Sequence, residues 1–420
     1  MLGHTQMKLE ERVLTTSDMR KIFLILACAA TIIQLASAYS KKDKDCKCHD
    51  SDTEIGQRSR YADIIHEIQS SLFNYFYKKY PNKSVSVTGS SVLSILTQLA
   101  LHKPRGADYE KLLQILHVKN IEEAKALARL IVNIINKDKN QSQKYEVYAD
   151  RTQLYTRIFL NNFKEVCDGE ARYLNYKNNV EAESNINDWY SPPENKDHGI
   201  RSRCYRRNGL IFKTTLNMSI DFSHPNNPSG RALVDYYVDS NTVVKIPSLH
   251  GNARVLYYKD TELNIEYVGI YYNNHGAVLL LGMPNDTKDL PRVVEIFTNK
   301  EKKDKIIRSL KLICVELTTI LGAVHMKNNL VPYLLGQGFN PNGYFNVFTR
   351  STANVNAYVQ HINIVVSEIQ QRASIHSPMC PIGKCLPKVR LNKPMAYCAI
   401  QDELSLALGT FVIERKGEYV

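Results

Sequence analysis

Residues 85–101 read Val85-Ser-Val-Thr-Gly-Ser-Ser-Val-Leu-Ser-Ile-Leu-Thr-Gln-Leu-Ala-Leu101, and two periodicities follow one another inside this run. Val85 and Val87 alternate with Ser84 and Ser86, the period of a short strand with one buried face. From Ser91 onward, Val92, Ile95, Leu96 and Leu99 recur at helical spacing, which predicts a buried helix to Leu101. A strand leading directly into a buried helix marks a mixed α and β body, for which α+β is the expected class. Upstream, Ile65, Ile68, Leu72 and Phe76 form one helical stripe. Downstream, helices are expected over Tyr109–Leu116 and Ile121–Ile135. Beyond residue 150 strands dominate the pattern: Thr152–Leu160, Val243–Ile246, Val255–Tyr258, Ile265–Tyr272 and Ala277–Leu281. A charged helix at Lys302–Ser309 precedes further strands at Ile362–Val366, Met395–Ile400 and Leu406–Ile413. No repeat and no Gly/Ser linker divides this body, so residues 58–420 read as one domain of about 360 residues, at the long end for a single core.

The start of the chain reads as export rather than structure. Arg20 and Lys21 precede the apolar run Ile22–Leu35, and Ala36-Ser37-Ala38 offers the small residues of a cleavage site before Tyr39. The run falls short of the ~20 residues that a spanning helix needs, so no membrane span is expected. Residues 1–18 form an upstream extension, residues 19–38 a cleaved signal, and residues 39–57 a flexible charged tail. The protein is therefore expected outside the cell, where cysteines oxidise. Of nine cysteines, Cys28 lies in the signal; the rest are Cys46, Cys48, Cys167, Cys204, Cys314, Cys380, Cys385 and Cys398. Their connectivity does not follow from spacing. Cys46-Lys-Cys-His-Asp50 is too closely spaced for a structural zinc site, so no metal is expected. Asn82, Asn140, Asn217 and Asn285 each begin a glycosylation sequon.

The net charge of +12 permits an anionic partner such as a sulfated glycan or an acidic protein surface. The basic residues are scattered, with short pairs such as Arg206-Arg207 and Lys302-Lys303, so a solvated surface is the simpler reading. Nucleic acid is not expected, because no binding motif is present. Enzyme signatures are equally missing. No Gly-x-Ser-x-Gly elbow occurs. His66-Glu67 lacks a second histidine at helical spacing. Gly336-Gln-Gly338 reads as a helix end, Gly383-Lys384 is followed by Cys385 rather than Ser or Thr, and Glu122-Glu123 lies on a solvated helix face. No cofactor and no catalytic residue are assigned.

Several strings, in their order, resemble the serpin family over residues 58–420. Val85–Leu96 is similar to its strand-to-helix segment, with Ser91 kept, Thr88 in place of a serine and Gly89 in place of a proline. Arg105-Gly106 resembles a family turn. Ile186-Asn-Asp-Trp189 matches its "IN-x-W" string and holds the only tryptophan. Val243–Leu249, Leu256–Tyr258, Tyr272 and Leu279–Pro284 follow its central strand order. Leu330, Leu334 and Gly338 fit a helix end, and Pro394 and Leu408-Gly-Thr410 fit the closing strands. The resemblance implies three β-sheets, about nine helices and an exposed reactive loop near the C-terminus. In family inhibitors a protease cleaves that loop, which then enters the main sheet as a new strand and carries the trapped protease with it.

Entry of that kind needs a glycine and small side chains at the hinge. Aligned to the family pattern, this chain has Glu368-Ile-Gln370-Gln371-Arg372, with Gln370 at the glycine and Gln371 at the first inward position. Burying an unpaired amide there costs about 1–3 kcal/mol, and Pro378 and Pro381 would each remove a ladder donor. The expectation is a secreted, monomeric, substrate-like or non-inhibitory member that meets proteases or other partners through its loop. Two alternatives stand beside it. One is an active inhibitor of a trypsin-like serine protease, with Lys384-Cys385 at the scissile bond; the other is an unrelated secreted enzyme. Cys380 and Cys385 would, if paired, close a small rigid ring around Lys384 that favours reversible docking; they pair elsewhere or stay free in the other readings.

Overall fold

A computed structural model describes residues 54–81, 83–137, 141–178, 182, 184, 208–221, 231–272, 277–367, 380 and 386–413. All of them lie in one compact unit, Asp52–Val420. Helices α1 (Glu54–Lys79), α2 (Gly89–Leu101), α3 (Ala107–Ile115), α4 (Ile121–Asn136) and α5 (Arg157–Cys167) fill the first part of the unit. Helices α6 (Leu290–Thr298), α7 (Lys300–Ser309) and α8 (Val331–Gly336) follow later, giving eight helices among the described residues. None of the described helices is long and apolar enough to cross a membrane. The stripe Ile65, Ile68, Leu72 and Phe76 is buried, and α1 packs against the strand-to-helix segment Val85–Leu101.

Among the described residues, fourteen strands build two hydrogen-bonded sheets. The smaller has the order β10-β11-β4-β2-β3, with β2 at Gln141–Asp150, β3 at Glu170–Leu174, β4 at Gly209–Asp221, β10 at Gly322–Asn329 and β11 at Asn354–Ser367. The larger runs β1-β14-β13-β8-β7-β6-β9-β12, with β5 beside β6. Its strands are β1 (Val85–Val87), β5 (Arg231–Tyr237), β6 (Val243–Asp260), β7 (Ile265–Tyr271), β8 (Val278–Pro284), β9 (Lys311–Ile320), β12 (Lys388–Arg390), β13 (Met395–Gln401) and β14 (Leu404–Phe411). The expected second and third sheets are continuous here because one 18-residue strand serves both. The early part of β6 pairs with β5, its middle with β9 and its end with β7. The sequence pattern divides this strand in two because its apolar alternation lapses around His250-Gly-Asn252.

One predicted strand is instead a turn with a single bridge, Tyr155↔Phe348, that runs into a helix. Residues Thr152–Leu160 carry strand-favouring Thr, Tyr, Ile and Phe, yet α5 begins at Arg157. The Thr156 side chain accepts from the Phe159 amide, which satisfies a free N–H of the first turn. Phe159, Phe163 and Val166 then fall on one buried stripe, so helical periodicity prevails over strand propensity. At the other extreme, Gly338 follows α8 at φ +80°, and the Phe339 amide reaches back to the Leu334 carbonyl at 2.9 Å. Gly336-Gln-Gly338 thus ends a helix, as its composition predicts.

Candidate functional site

Strand β11 leads directly into the segment that the sequence marks as a loop. On one side it pairs antiparallel with β10, from Gly322↔Val366 to Asn329↔Val359. On the other it pairs parallel with β4, from Asn354↔Gly209 to Ser367↔Asp221, with one register shift between Val355 and Ala357. A chain that turned back after Ser367 would run antiparallel to β11. Only between β11 and β4 would it find antiparallel partners on both sides, replacing a parallel pair with two stronger pairings. The β4–β11 seam is therefore where a new strand would enter, and here it is closed from end to end.

A buried polar cluster sits under this seam and fixes α2 to β11. Gln360 of β11 is wholly buried. Its Oε1 accepts from the Thr88 amide at 3.3 Å, and its Nε2 donates to the Thr88 carbonyl at 2.9 Å and to Ser91 Oγ. The Thr88 hydroxyl meets Ser90 Oγ at 2.7 Å, and Ser90 Oγ donates to Gln143 Oε1 of β2 at 2.9 Å. Asn328 of β10 donates to the Ser86 carbonyl at 2.7 Å. Thr88 makes no side-chain cap for α2, so Gln360 supplies an acceptor for the free amide at the helix start. Sequence reading missed Gln360, Asn328 and Gln143; the available signal was a polar residue on the core-facing side of an apolar strand.

The seam's other face is cationic. Lys213 of β4 is buried, with Glu146 of β2 at 3.6 Å. Lys327 of β10 stands across from His361 of β11, which in turn pairs with Thr215 of β4. Burial pushes the Lys327 amine below its usual range, and the charge of Lys213 adds to this. Burial, then Lys327 and Lys213, holds the His361 imidazole down to about 3, so it is neutral at physiological pH.

The chain is fixed to β9 at two places, before Lys384 through Cys380 and after it through Pro387 and β12. Cys380 forms a disulfide with Cys314, with Cα atoms 5.7 Å apart. This replaces the ring considered for Cys380 and Cys385: a sulfur makes one such bond, and the backbone places Cys314 within disulfide reach. The Glu316 amide then donates to the Pro387 carbonyl at 2.9 Å, and β12 runs parallel to β9 from Lys388↔Glu316. The hinge residues Glu368, Gln370, Gln371 and Arg372, together with Lys384 and Cys385, lie outside the described residues, as do Trp189, Asn82 and Asn140. Asn285 is exposed. Asn217 is half-buried in β4, where its Nδ2 faces Ser142 at 3.4 Å and its Oδ1 accepts from Asn363 at 2.8 Å. Of the basic pair Lys302-Lys303, Lys303 turns inward to His66 Nδ1 at 2.8 Å, and Lys302 pairs with Glu295. That pair does not present two free cations to a glycan.

A family model described as "Serpin (serine protease inhibitor)" matches residues 65–403. "Antichymotrypsin-2" of Bombyx mori is 22% identical over 319 residues, spanning 72% of this chain and 80% of that protein. "Corticosteroid-binding globulin" of Saimiri sciureus is 21% identical over 241 residues, spanning 52% of this chain and 56% of that protein. A solved structure described as "thyroxine-binding globulin complex with thyroxine" superposes with a TM-score of 0.69 at 16% identity, covering 85% of this chain and all of that one. At that identity the likeness is one of fold.

Proposed function

The chain belongs to the serpin family, and on that premise we propose that it is an extracellular, non-catalytic member that meets a serine protease or another partner through the segment after β11 without completing strand insertion. Its relatives include proteins named as protease inhibitors and one named as a binding globulin, so the family accommodates both behaviours. The observation that carries the reading is the hinge composition. Gln370 stands where insertion calls for glycine, and Gln371 brings a long amide to the first position that faces the sheet interior. Slow insertion gives a bound protease time to finish hydrolysis and leave, which makes the protein a substrate.

The test is incubation with trypsin. We expect a cleaved serpin and free protease on a denaturing gel; an SDS-stable covalent complex would overturn the reading. Lys384 in Cys380-Pro-Ile-Gly-Lys384-Cys385 favours a second reading, an inhibitor matched to a protease with an acidic specificity pocket. That reading predicts the complex instead. For the exported form, N-terminal sequencing should begin at Tyr39. Among the sequons, exposed Asn285 is the better acceptor, because both ends of the Asn217 amide are engaged within the sheet. An anionic glycan remains the partner that the +12 charge suits.

A further inference from the structure

Twelve residues, 368–379, separate the last residue of β11 from Cys380. A strand turning back at Ser367 to lie beside β11 would bring residue 380 level with Asn354, the far end of β11. That is a travel of about 43 Å at the usual strand rise. The Cys314–Cys380 bond forbids this travel. It keeps the Cys380 Cα 5.7 Å from that of Cys314, on a strand of the other sheet. Cys314 sits eight residues before Gly322, whose partner is Val366 at the mouth of the seam. With both ends of a twelve-residue segment held, any part that enters the seam must also return. Fewer than about six residues can enter, even at full extension.

We propose that the Cys314–Cys380 disulfide is a tether that keeps the segment after β11 out of the sheet, and that a dithiol reductant releases it. The proposal deepens the reading above by adding a lock that is independent of the hinge. Cys380 is buried, and Cys314 is the more exposed partner, so the reductant's thiolate attacks Cys314 Sγ. The S–S bond breaks, the electron pair leaves on Cys380 Sγ, and that sulfur takes up a proton. The reductant's second thiol then displaces Cys314 as a thiol and closes the reductant's own disulfide. Two electrons and two protons pass to the protein, and no other bond changes.

The test uses the full exported chain in four forms: wild type, Cys314→Ser/Cys380→Ser, Gln370→Gly/Gln371→Ala, and all four changes together. Each is nicked with a lysine-specific endoprotease, which spares Arg372, and the cut at Lys384 is verified by mass spectrometry. The melting temperature is read before and after nicking, with and without dithiothreitol. The reductant arm keeps the test open if the serine variant folds poorly. We expect the oxidised hinge variant to show no gain on nicking. The same variant, reduced or with serines, should gain about 10 °C or more as a new strand joins the sheet. An equal gain in the oxidised, mass-verified disulfide form would overturn the tether. So would no gain in the hinge variant once the bond is open. A full gain in the serine variant that keeps Gln370 and Gln371 would uphold the tether while removing the hinge reading, so the two ideas fail separately.

Discussion

Gln360 ties β11 to the start of α2 through three hydrogen bonds. Changing it to Ala removes the acceptor for the Thr88 amide and the donor to the Thr88 carbonyl and Ser91. Stranding those buried groups should cost about 2–3 kcal/mol, read as a lower urea midpoint. Histidines set the acid limit. His66 is held down to about 3 by burial and then by Lys303, His361 to about 3 by burial and its lysine neighbours, and His102 to about 4 by burial. Each is neutral when folded, whereas the unfolded chain binds protons below about 6.5. Their contribution is therefore intact above about pH 6.5 and is lost as pH falls toward 4. The loss reaches roughly 2 kcal/mol per histidine at pH 5. Urea titrations at pH 7.5 and 5.0 should show this fall, and His361→Gln should reduce it; a midpoint insensitive to pH would contradict the assignment. The core positions of α1 and α2 were legible in sequence because apolar spacing reports burial. Gln360 was not, since a buried amide resembles an exposed one until its partners, Thr88 and Ser91, are placed beside it.

At the scale of elements, β1, β13 and β14 close the larger sheet around Gly409. A Cβ there would overlap the phenol end of Tyr397, which is buried, and the Val85 backbone carbonyl, neither of which is free to swing away. Gly409→Ala should cost about 1–3 kcal/mol and lower the melting temperature without changing the helix content. Thr156→Ala should cost about 1 kcal/mol through the lost cap on α5. Element identity was readable where one period ran uninterrupted, as in α4 or β7. It failed at α5, where Thr152–Leu160 favours strands residue by residue and only Phe163 and Val166, further on, complete the helical stripe. The continuity of β6 was hidden for a related reason. Pairing with three strands in turn changes which side chains are covered, and the apolar alternation is lost with it.

For the whole molecule, the order of elements was already in the sequence, because short motifs in a fixed order constrain topology even when each one is weak. The pairing of Cys314 with Cys380 was not: they stand 66 positions apart in sequence, and only the fold brings β9 beside Cys380. The central claim is that β11 keeps β4 as its neighbour after the loop is cut. The most direct measurement is a crystal structure of the oxidised protein nicked at Lys384. The account predicts that Ser367 still pairs with Asp221 and Asn354 with Gly209, as in the intact chain. A strand of residues 368–380 lying between β4 and β11 would contradict it.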